Sequence, residues 1–328
     1  VTALRVAVWG LGPHAVRNVL PAVAAAPGLE LAGVLSRTAG VVSAACETYG
    51  CATWDAAEAM LADAAVDAVY LSTPIALHAE QGRAVLAAGK HLWCEKPFTS
   101  TADEAEALAG LSRERGVSVG EAFMYLYHPH FAALAEVVRS GRIGQVLRMD
   151  CRFGIPPLER PGFRADPALG GGAFLDVGSY PLSAVSALFP GAEPEVRFAE
   201  VSAGDGSAVD TAGRTLLRCE GGVDAVLEWR TGAAYRNEID LWGTEGSVLT
   251  GRIFSKPADY VPQLRLLDRT GRESVEEVRA GNHFVAMLEA FFVLAGDPAA
   301  AERERAAITA RARLRDRVRE HSNRAGEP

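Results

Sequence analysis

The sequence predicts a doubly wound α/β domain with a parallel sheet, followed by an α+β domain on a large, mainly antiparallel open sheet. Three observations predict this. Short apolar runs alternate with helical stretches through the first 123 residues. A glycine-rich turn closes the first of those runs. Beyond residue 123 the pattern changes to period-two runs joined by glycine turns. The expected division is therefore 1–123 and 124–328.

The elements follow in order. LRVAVWG (4–10) is an apolar run ending in glycine, a buried strand. Pro13 to Ala26 is alanine-rich with proline at its opening, a helix. LELAGVLS (29–36), VDAVYLST (66–73), HLWCEK (91–96) and VSVGEAF (117–123) are further strands. Helices are expected at 39–49, 55–63, 75–89 and 102–115. Strands alternating with helices imply parallel pairing through crossovers. In the second half, 128–140 reads as a helix and VLRMDCRFG (146–154) as an alternating strand. A Gly/Pro-rich loop (154–172) leads to a helix at 177–189. Strands at 195–203, 211–220, 223–230, 236–242 and 247–250 build the antiparallel sheet, and helices at 282–295 and 302–320 end the chain.

Composition excludes several classes. The 328 residues are 49% apolar and 23% charged, as in an ordinary soluble protein. A net charge of −8 argues against a nucleic-acid partner. The basic stretch 302–320 interleaves acids with arginines and reads as a solvated helix face. No apolar run reaches 18 residues, so no membrane span is expected. The opening residues run directly into a strand, without the pattern of a signal peptide. Five cysteines without metal-ligand spacing suggest reduced thiols, no metal and a cytoplasmic location.

Gly10-Leu11-Gly12-Pro13-His14-Ala15 closes the first strand and opens the first helix. It fits G-x-G-x-x-G/A. Gly10 permits a tight turn, Gly12 admits a pyrophosphate to the backbone, and Ala15 permits close packing. The helix N-terminus offers unpaired N–H groups. This marks 1–123 as a dinucleotide-binding domain. At the end of the second strand NAD-binding chains usually place an acid. Here stand Ser36 and Arg37, with no acid between Glu30 and Glu47. Both suit a 2′-phosphate, so NADP(H) is favoured over NAD(H). Thr73 and Pro74 end the strand 66–73 at the same sheet edge, and His78 lies one turn into the next helix, on the cofactor side.

Only three of the 33 basic side chains are lysines: Lys90, Lys96 and Lys256. Lys96 ends the strand 91–96 and precedes Pro97, which directs it to the same crevice. Farther on, Gly170-Gly171-Gly172 precedes Asp176 and Tyr180, which share a helix face at i, i+4.

These residues resemble the glucose–fructose oxidoreductase/inositol dehydrogenase/rhizopine-catabolism (Gfo/Idh/MocA) family of NAD(P)-dependent oxidoreductases. The resemblance runs nearly end to end. It is most specific at Glu95-Lys96-Pro97, at Gly162-Phe163-Arg164-Ala165-Asp166-Pro167, from Asp176 to Tyr180, and at Gly243-Thr244-Glu245-Gly246. It implies a Rossmann domain, an α+β domain whose open sheet forms homodimers or homotetramers, and a catalytic lysine at Lys96. It adds Leu11, Pro13, His14, Glu95 and Arg164 to the cofactor-binding set. Tyr180 places the chain with the tyrosine-type members, which resemble dihydrodiol dehydrogenase and the nucleotide-sugar 3-ketoreductases. Relatives often carry arginine where this chain has Leu126; Arg164 or His130 is the residue expected to compensate.

The implied chemistry moves a hydride between nicotinamide and a carbonyl or secondary alcohol of a sugar or polyol-like substrate, a nucleotide-linked 3-keto sugar being one candidate. Tyr180 is the expected acid/base. A phenol titrates near pH 10. A cation about 4 Å away favours its phenolate by roughly 4 kcal/mol, about three pKa units. Lys96 supplies that cation, and Asp176 orients it or binds a substrate hydroxyl. The two groups come from different domains, which puts the expected site between them. Tyr125, Tyr127, Phe163, Tyr235 and Tyr260 are candidate pocket residues. The rival readings are a trans-dihydrodiol or free-pyranose (glucose or xylose) dehydrogenase, a redox-neutral glycosidase or epimerase that retains its cofactor, and a noncatalytic NADP-binding sensor.

Overall fold

The computed structural model describes residues 3–204 and 206–325. Two compact units emerge. The first holds the described residues up to Ala122 together with Phe284–Ala312; the second holds Phe123–His283 and the described residues from Arg313.

In the first unit, β1 (Leu4–Trp9), β2 (Leu29–Leu35), β3 (Ala52–Thr53), β4 (Ala68–Leu71), β5 (His91–Cys94) and β6 (Val119–Glu121) lie in the order β3-β2-β1-β4-β5-β6. Every pairing is parallel. The connecting helices are α1 (Leu20–Ala25), α2 (Ala39–Tyr49), α3 (Ala57–Ala62), α4 (His78–Ala87) and α5 (Ala102–Arg115). Strands buried on both faces need continuous apolar runs, and Val6, Ala7, Val8 and Ala68 to Leu71 have no exposed surface. The boundaries of α5 agree with the sequence because both ends are coded. Thr101 and Glu104 form a reciprocal capping box, and Gly116 ends the helix at φ 68°. β3 was not anticipated; two exposed residues carry no periodicity.

The second unit is an eight-stranded sheet. Its strands are β7 (Val146–Ile155), β8 (Glu195–Ala203), β9 (Asp210–Arg218), β10 (Asp224–Thr231), β11 (Arg236–Gly243), β12 (Gly246–Gly251), β13 (Gln263–Asp268) and β14 (Glu273–Glu277). The order is β14-β13-β12-β11-β7-β10-β9-β8, antiparallel except for the central β7–β10 pair. Alternation is clear on β11, where Asn237, Ile239, Leu241 and Gly243 are buried. The sequence reading missed β13 and β14. Leu264 and Leu266 do alternate inward on β13. β14 (ESVEE) is an edge strand rich in glutamate, the composition that keeps an edge from pairing further. Helices α6 (Pro129–Arg139) and α7 (Ser179–Leu188) complete this unit's core.

The terminal helices are α8 (His283–Gly296) and α9 (Pro298–Ala325). Sequence grammar puts them in the second domain, yet 284–312 belong to the first unit. Packing explains the return. Phe291 sits 5.6 Å from the Trp93 ring and covers Gly120, where a Cβ would come within 2.7 Å of it. Ile308 and Ala312 join the apolar core of Leu92, Leu108 and Val119. Arg311 pairs with buried Glu121 at 2.6 Å.

The helices expected at 13–26 and 177–189 both begin with a π turn, at Ala15–Val19 and Phe174–Gly178. No helix among the described residues is by itself long and apolar enough to cross a membrane. All five cysteines are free thiols.

Candidate active site

The carboxyl ends of β1, β2, β4 and β5 gather the first unit's candidate residues. Gly10 N–H donates to Leu35 C=O at 2.8 Å, which sets the phosphate turn beside Ser36. Ser72 N–H donates to Trp9 C=O and Glu95 N–H to Leu71 C=O, at 2.8 and 2.9 Å. Thr73 and Lys96 therefore follow on the same edge. The strand order reverses between β1 and β4, where doubly wound sheets bind their ligands.

The two glycines of the turn differ. Gly10 has φ 102°, and a Cβ there would lie 2.5 Å from Ser72 O. Gly12 has nothing within 4 Å of its Cβ position. Packing demands the first glycine and not the second. The space left open at Gly12 admits a phosphate to the backbone, so the turn fits a dinucleotide. Leu11 is buried, Pro13 exposed, and Ala15 wholly buried. Arg37 is exposed just past β2, as recognition of a 2′-phosphate requires.

Glu95 links this turn to Lys96. Asn18 Nδ2 lies 3.1 Å from His14 Nδ1, and His14 Nε2 lies 3.0 Å from Glu95 Oε1, so the ring bridges the turn to Glu95. Tyr70 OH donates to the same oxygen at 2.8 Å. Burial pushes the Glu95 carboxyl up; the charge and hydrogen bond of His14, the Tyr70 hydroxyl and the Lys96 charge outweigh it and hold the group at about 2. Lys96 is half-buried, and the Lys96–Pro97 peptide is cis. The turn after it is held from two sides. His78 Nδ1 lies 3.0 Å from Pro97 O, and Glu121 accepts from Phe98 N–H at 2.8 Å. Thr73 Oγ1 donates to Gln81 Oε1 at 2.6 Å, and Pro74 leads into the turn that opens α4.

His78 is 1% exposed, and its other nitrogen lies 2.9 Å from Thr73 O. Burial lowers its pKa, while the two carbonyl neighbours oppose that shift. The ring bridges the chain after β4 to the chain after β5. Its two nitrogens thus tie the Thr73 and Pro97 carbonyls together.

In the second unit, Arg164 Nε–H donates to Asp176 Oδ2 at 2.6 Å. Arg164 also lies over the Phe163 ring, 4.8 Å from its centroid. The glycine run serves this unit's own packing. A Cβ on Gly171 would come within 2.7 Å of the carbonyl oxygens of Phe163, Arg164 and Asp166, and one on Gly172 within 2.2 Å of Asp210 Oδ1. Phe174 N–H donates to Asp210 Oδ2 at 2.6 Å, which fixes the start of the π turn. Asp176 lies within that turn and Tyr180 in the first turn of α7. Tyr180 is 7% exposed, its ring enclosed by Phe123, Phe153 and Phe254 at 5.4, 5.1 and 5.5 Å, and its OH is 3.7 Å from Met124 Sδ. Four-residue spacing on a helix that starts as a π turn still puts Asp176 and Tyr180 on neighbouring lines of one face.

Two expectations are corrected here. His130 has no exposed surface and lies 2.6 Å from Thr250 Oγ1, so it does not stand in for arginine at Leu126. Tyr125 is likewise fully buried, its hydroxyl 2.7 Å from Ser183 Oγ, so it belongs to the core.

The family model for the NAD-binding Rossmann fold of the Gfo/Idh/MocA oxidoreductases matches residues 4–123, and the model for the Gfo/Idh/MocA C-terminal domain matches 131–249. The chain belongs to the Gfo/Idh/MocA oxidoreductase family. A dTDP-3,4-didehydro-2,6-dideoxy-alpha-D-glucose 3-reductase of Streptomyces violaceoruber is 40% identical over 274 residues, 83% of this chain and 80% of its own. A D-xylose 1-dehydrogenase (NADP(+)) of Haloferax volcanii is 37% identical over 223 residues, 67% of each. The solved structure of a 3-ketoreductase from Actinomadura kijaniata with NADP and TDP-benzene superposes with a TM-score of 0.92 at 32% identity, covering 98% of each chain. That ketoreductase is also known with a lysine replaced by alanine and with a tyrosine replaced by phenylalanine. For a Gfo/Idh/MocA chain, the sequence missed Glu121, Arg311 and Tyr70, which hold the lysine turn from the core. Sheet register brings Tyr70 and Glu121 there, and the packing of α9 brings Arg311.

Proposed function

We propose that this oxidoreductase uses NADP(H) to interconvert a ketone and a secondary alcohol on a nucleotide-linked sugar; its 40% identical relative is a dTDP-keto-sugar 3-reductase, and the Actinomadura kijaniata 3-ketoreductase binds NADP. Two observations, one in each unit, carry this reading: Arg37 is exposed beside the glycine turn, and Tyr180 is set in an aromatic shell. Ser36 and Arg37 take the 2′-phosphate, and the N–H groups around Gly12 take the pyrophosphate. Bound NADPH supplies the hydride. Tyr180 gives its hydroxyl proton to the substrate oxygen, so ketone, hydride and proton become the alcohol. Lys96 stabilises the developing negative charge on that oxygen and eases regeneration of the phenol. Asp176, held by Arg164, accepts a hydrogen bond from a neighbouring substrate hydroxyl. The protein acts in the cytoplasm and pairs with a second copy through the exposed charged face of its eight-stranded sheet.

The test is NADPH consumption with a dTDP-linked 3-keto-hexose, run beside NADP⁺ reduction with D-xylose. Faster turnover of the first supports the reading; turnover of xylose alone overturns it in favour of a pyranose dehydrogenase. Lys96→Ala and Tyr180→Phe are expected to lower kcat by about 10²–10⁴, with NADP affinity little changed for Tyr180→Phe. Arg37→Ala is expected to abolish most of the preference for NADP over NAD. Equal turnover by all three variants and the parent rejects the assignment.

A further inference from the structure

Arg252, the residue that follows β12, has an unusual backbone. It is the one non-glycine among the described residues with a left-handed backbone, at φ 51°. Such a conformation is uncommon in arginine and tends to persist where function retains it. Its guanidinium lies over two tyrosine rings, 5.5 Å from Tyr235 and 5.4 Å from Tyr260. Arg152, Arg214 and Arg265 on the same sheet are all neutralised by glutamates. Arg252 forms no ion pair among the described residues. The side chain is exposed and can offer its N–H groups to an anion while the two rings hold its cation.

The surroundings tie this arginine to Tyr180. Arg252 N–H donates to Asn237 O at 2.6 Å, and Asn237 Nδ2–H donates to Tyr235 Oη at 2.8 Å. Asn237 Oδ1 accepts from Phe254 N–H at 2.9 Å, and the Phe254 ring packs 5.5 Å from Tyr180. One loop therefore carries both the wall of the Tyr180 shell and Arg252.

We infer that Arg252 binds the diphosphate of a nucleoside diphosphate sugar and so sets the preference for nucleotide-linked over free sugars. This rests on the function proposed above and names the residue that reads the non-reacting end of the substrate. A planar guanidinium forks two N–H groups onto phosphate oxygens, which a lysine does not reproduce.

Calorimetric titration of dTDP into the NADP-saturated protein tests it, with Arg252→Gly and Arg252→Lys beside the parent. Glycine adopts this backbone without strain, so Arg252→Gly keeps the fold and melts at the same temperature or higher. Both variants are expected to bind dTDP at least tenfold more weakly and to raise KM for a dTDP-linked keto sugar by a similar factor, with NADP affinity unchanged. If the parent turns over that sugar and neither variant changes dTDP affinity or KM, the inference falls and the proposed function stands. If the parent neither binds dTDP nor reduces the sugar, both fall.

Discussion

Gly10 and Gly12 are neighbours with separate jobs, and two substitutions distinguish them. Alanine at 10 meets a carbonyl oxygen at 2.5 Å in a backbone that disfavours it. Gly10→Ala should lose roughly 1–3 kcal/mol of stability, seen as a lower urea midpoint. Alanine at 12 touches no protein atom within 4 Å. Gly12→Ala should melt like the parent yet bind NADP at least tenfold more weakly, about 1.4 kcal/mol. Parental NADP affinity in Gly12→Ala would remove the phosphate role from this turn. The glycine pattern was legible in the sequence; which glycine the fold needs was not, because that depends on Ser72, 62 residues beyond Gly10.

At the scale of elements, the turn carrying Lys96 depends on a helix from the other end of the chain. Glu121 accepts from Phe98 N–H and pairs with Arg311 of α9, both sheltered from water. Arg311 also pairs with Glu304 at 2.9 Å. Removing one partner of a buried pair strands the other, at a cost of about 3–5 kcal/mol. Arg311→Met should therefore destabilise the protein by that amount in urea unfolding; a loss below about 1 kcal/mol would mean the pair is solvated. Local code made α5 readable to the residue through its capping box and terminal glycine. The π turns at Ala15–Val19 and Phe174–Gly178 escaped notice because one extra residue per turn leaves no signature in apolar spacing. The destination of α8 and α9 escaped it too, since periodicity tells that a helix has an apolar face and not what covers it.

For the molecule as a whole, buried titratable groups govern the response to pH. Burial, then the Lys256 charge, brings His128 down to about 4 and His130 to about 3. Unfolded histidine titrates near 6.5. As pH falls below about 6.5 the unfolded chain takes up protons that the folded chain refuses, so stability is lost. Glu95, at about 2 folded against 4.5, adds a further loss as pH falls through that window. Burial lowers Lys256 to about 8, so its penalty is relieved as pH rises from there toward about 10.4. The urea midpoint should rise from pH 4 to 7, each group contributing about 1.4 kcal/mol per pH unit within its window. Above about 8.5 the Lys256 gain is outweighed by Cys51, Cys94, Cys151 and Cys219, whose thiols burial pushes up, so the midpoint falls there. A midpoint highest near pH 5 contradicts this picture.

By itself the sequence determined the two kinds of sheet, the phosphate turn, the basic residue after β2, and the lysine and tyrosine proposed for proton transfer. Each of these is local: a run of apolar residues, a spacing, a residue type at a strand end. Only the tertiary structure decided that residues 284–312 complete the first unit, that Glu121 and His78 hold the lysine turn, that His130 is interior, and that the Arg252 guanidinium lies over two tyrosine rings. Those facts depend on pairings across long stretches of chain. Burial and sheet register create them, and no short window of residues contains both partners.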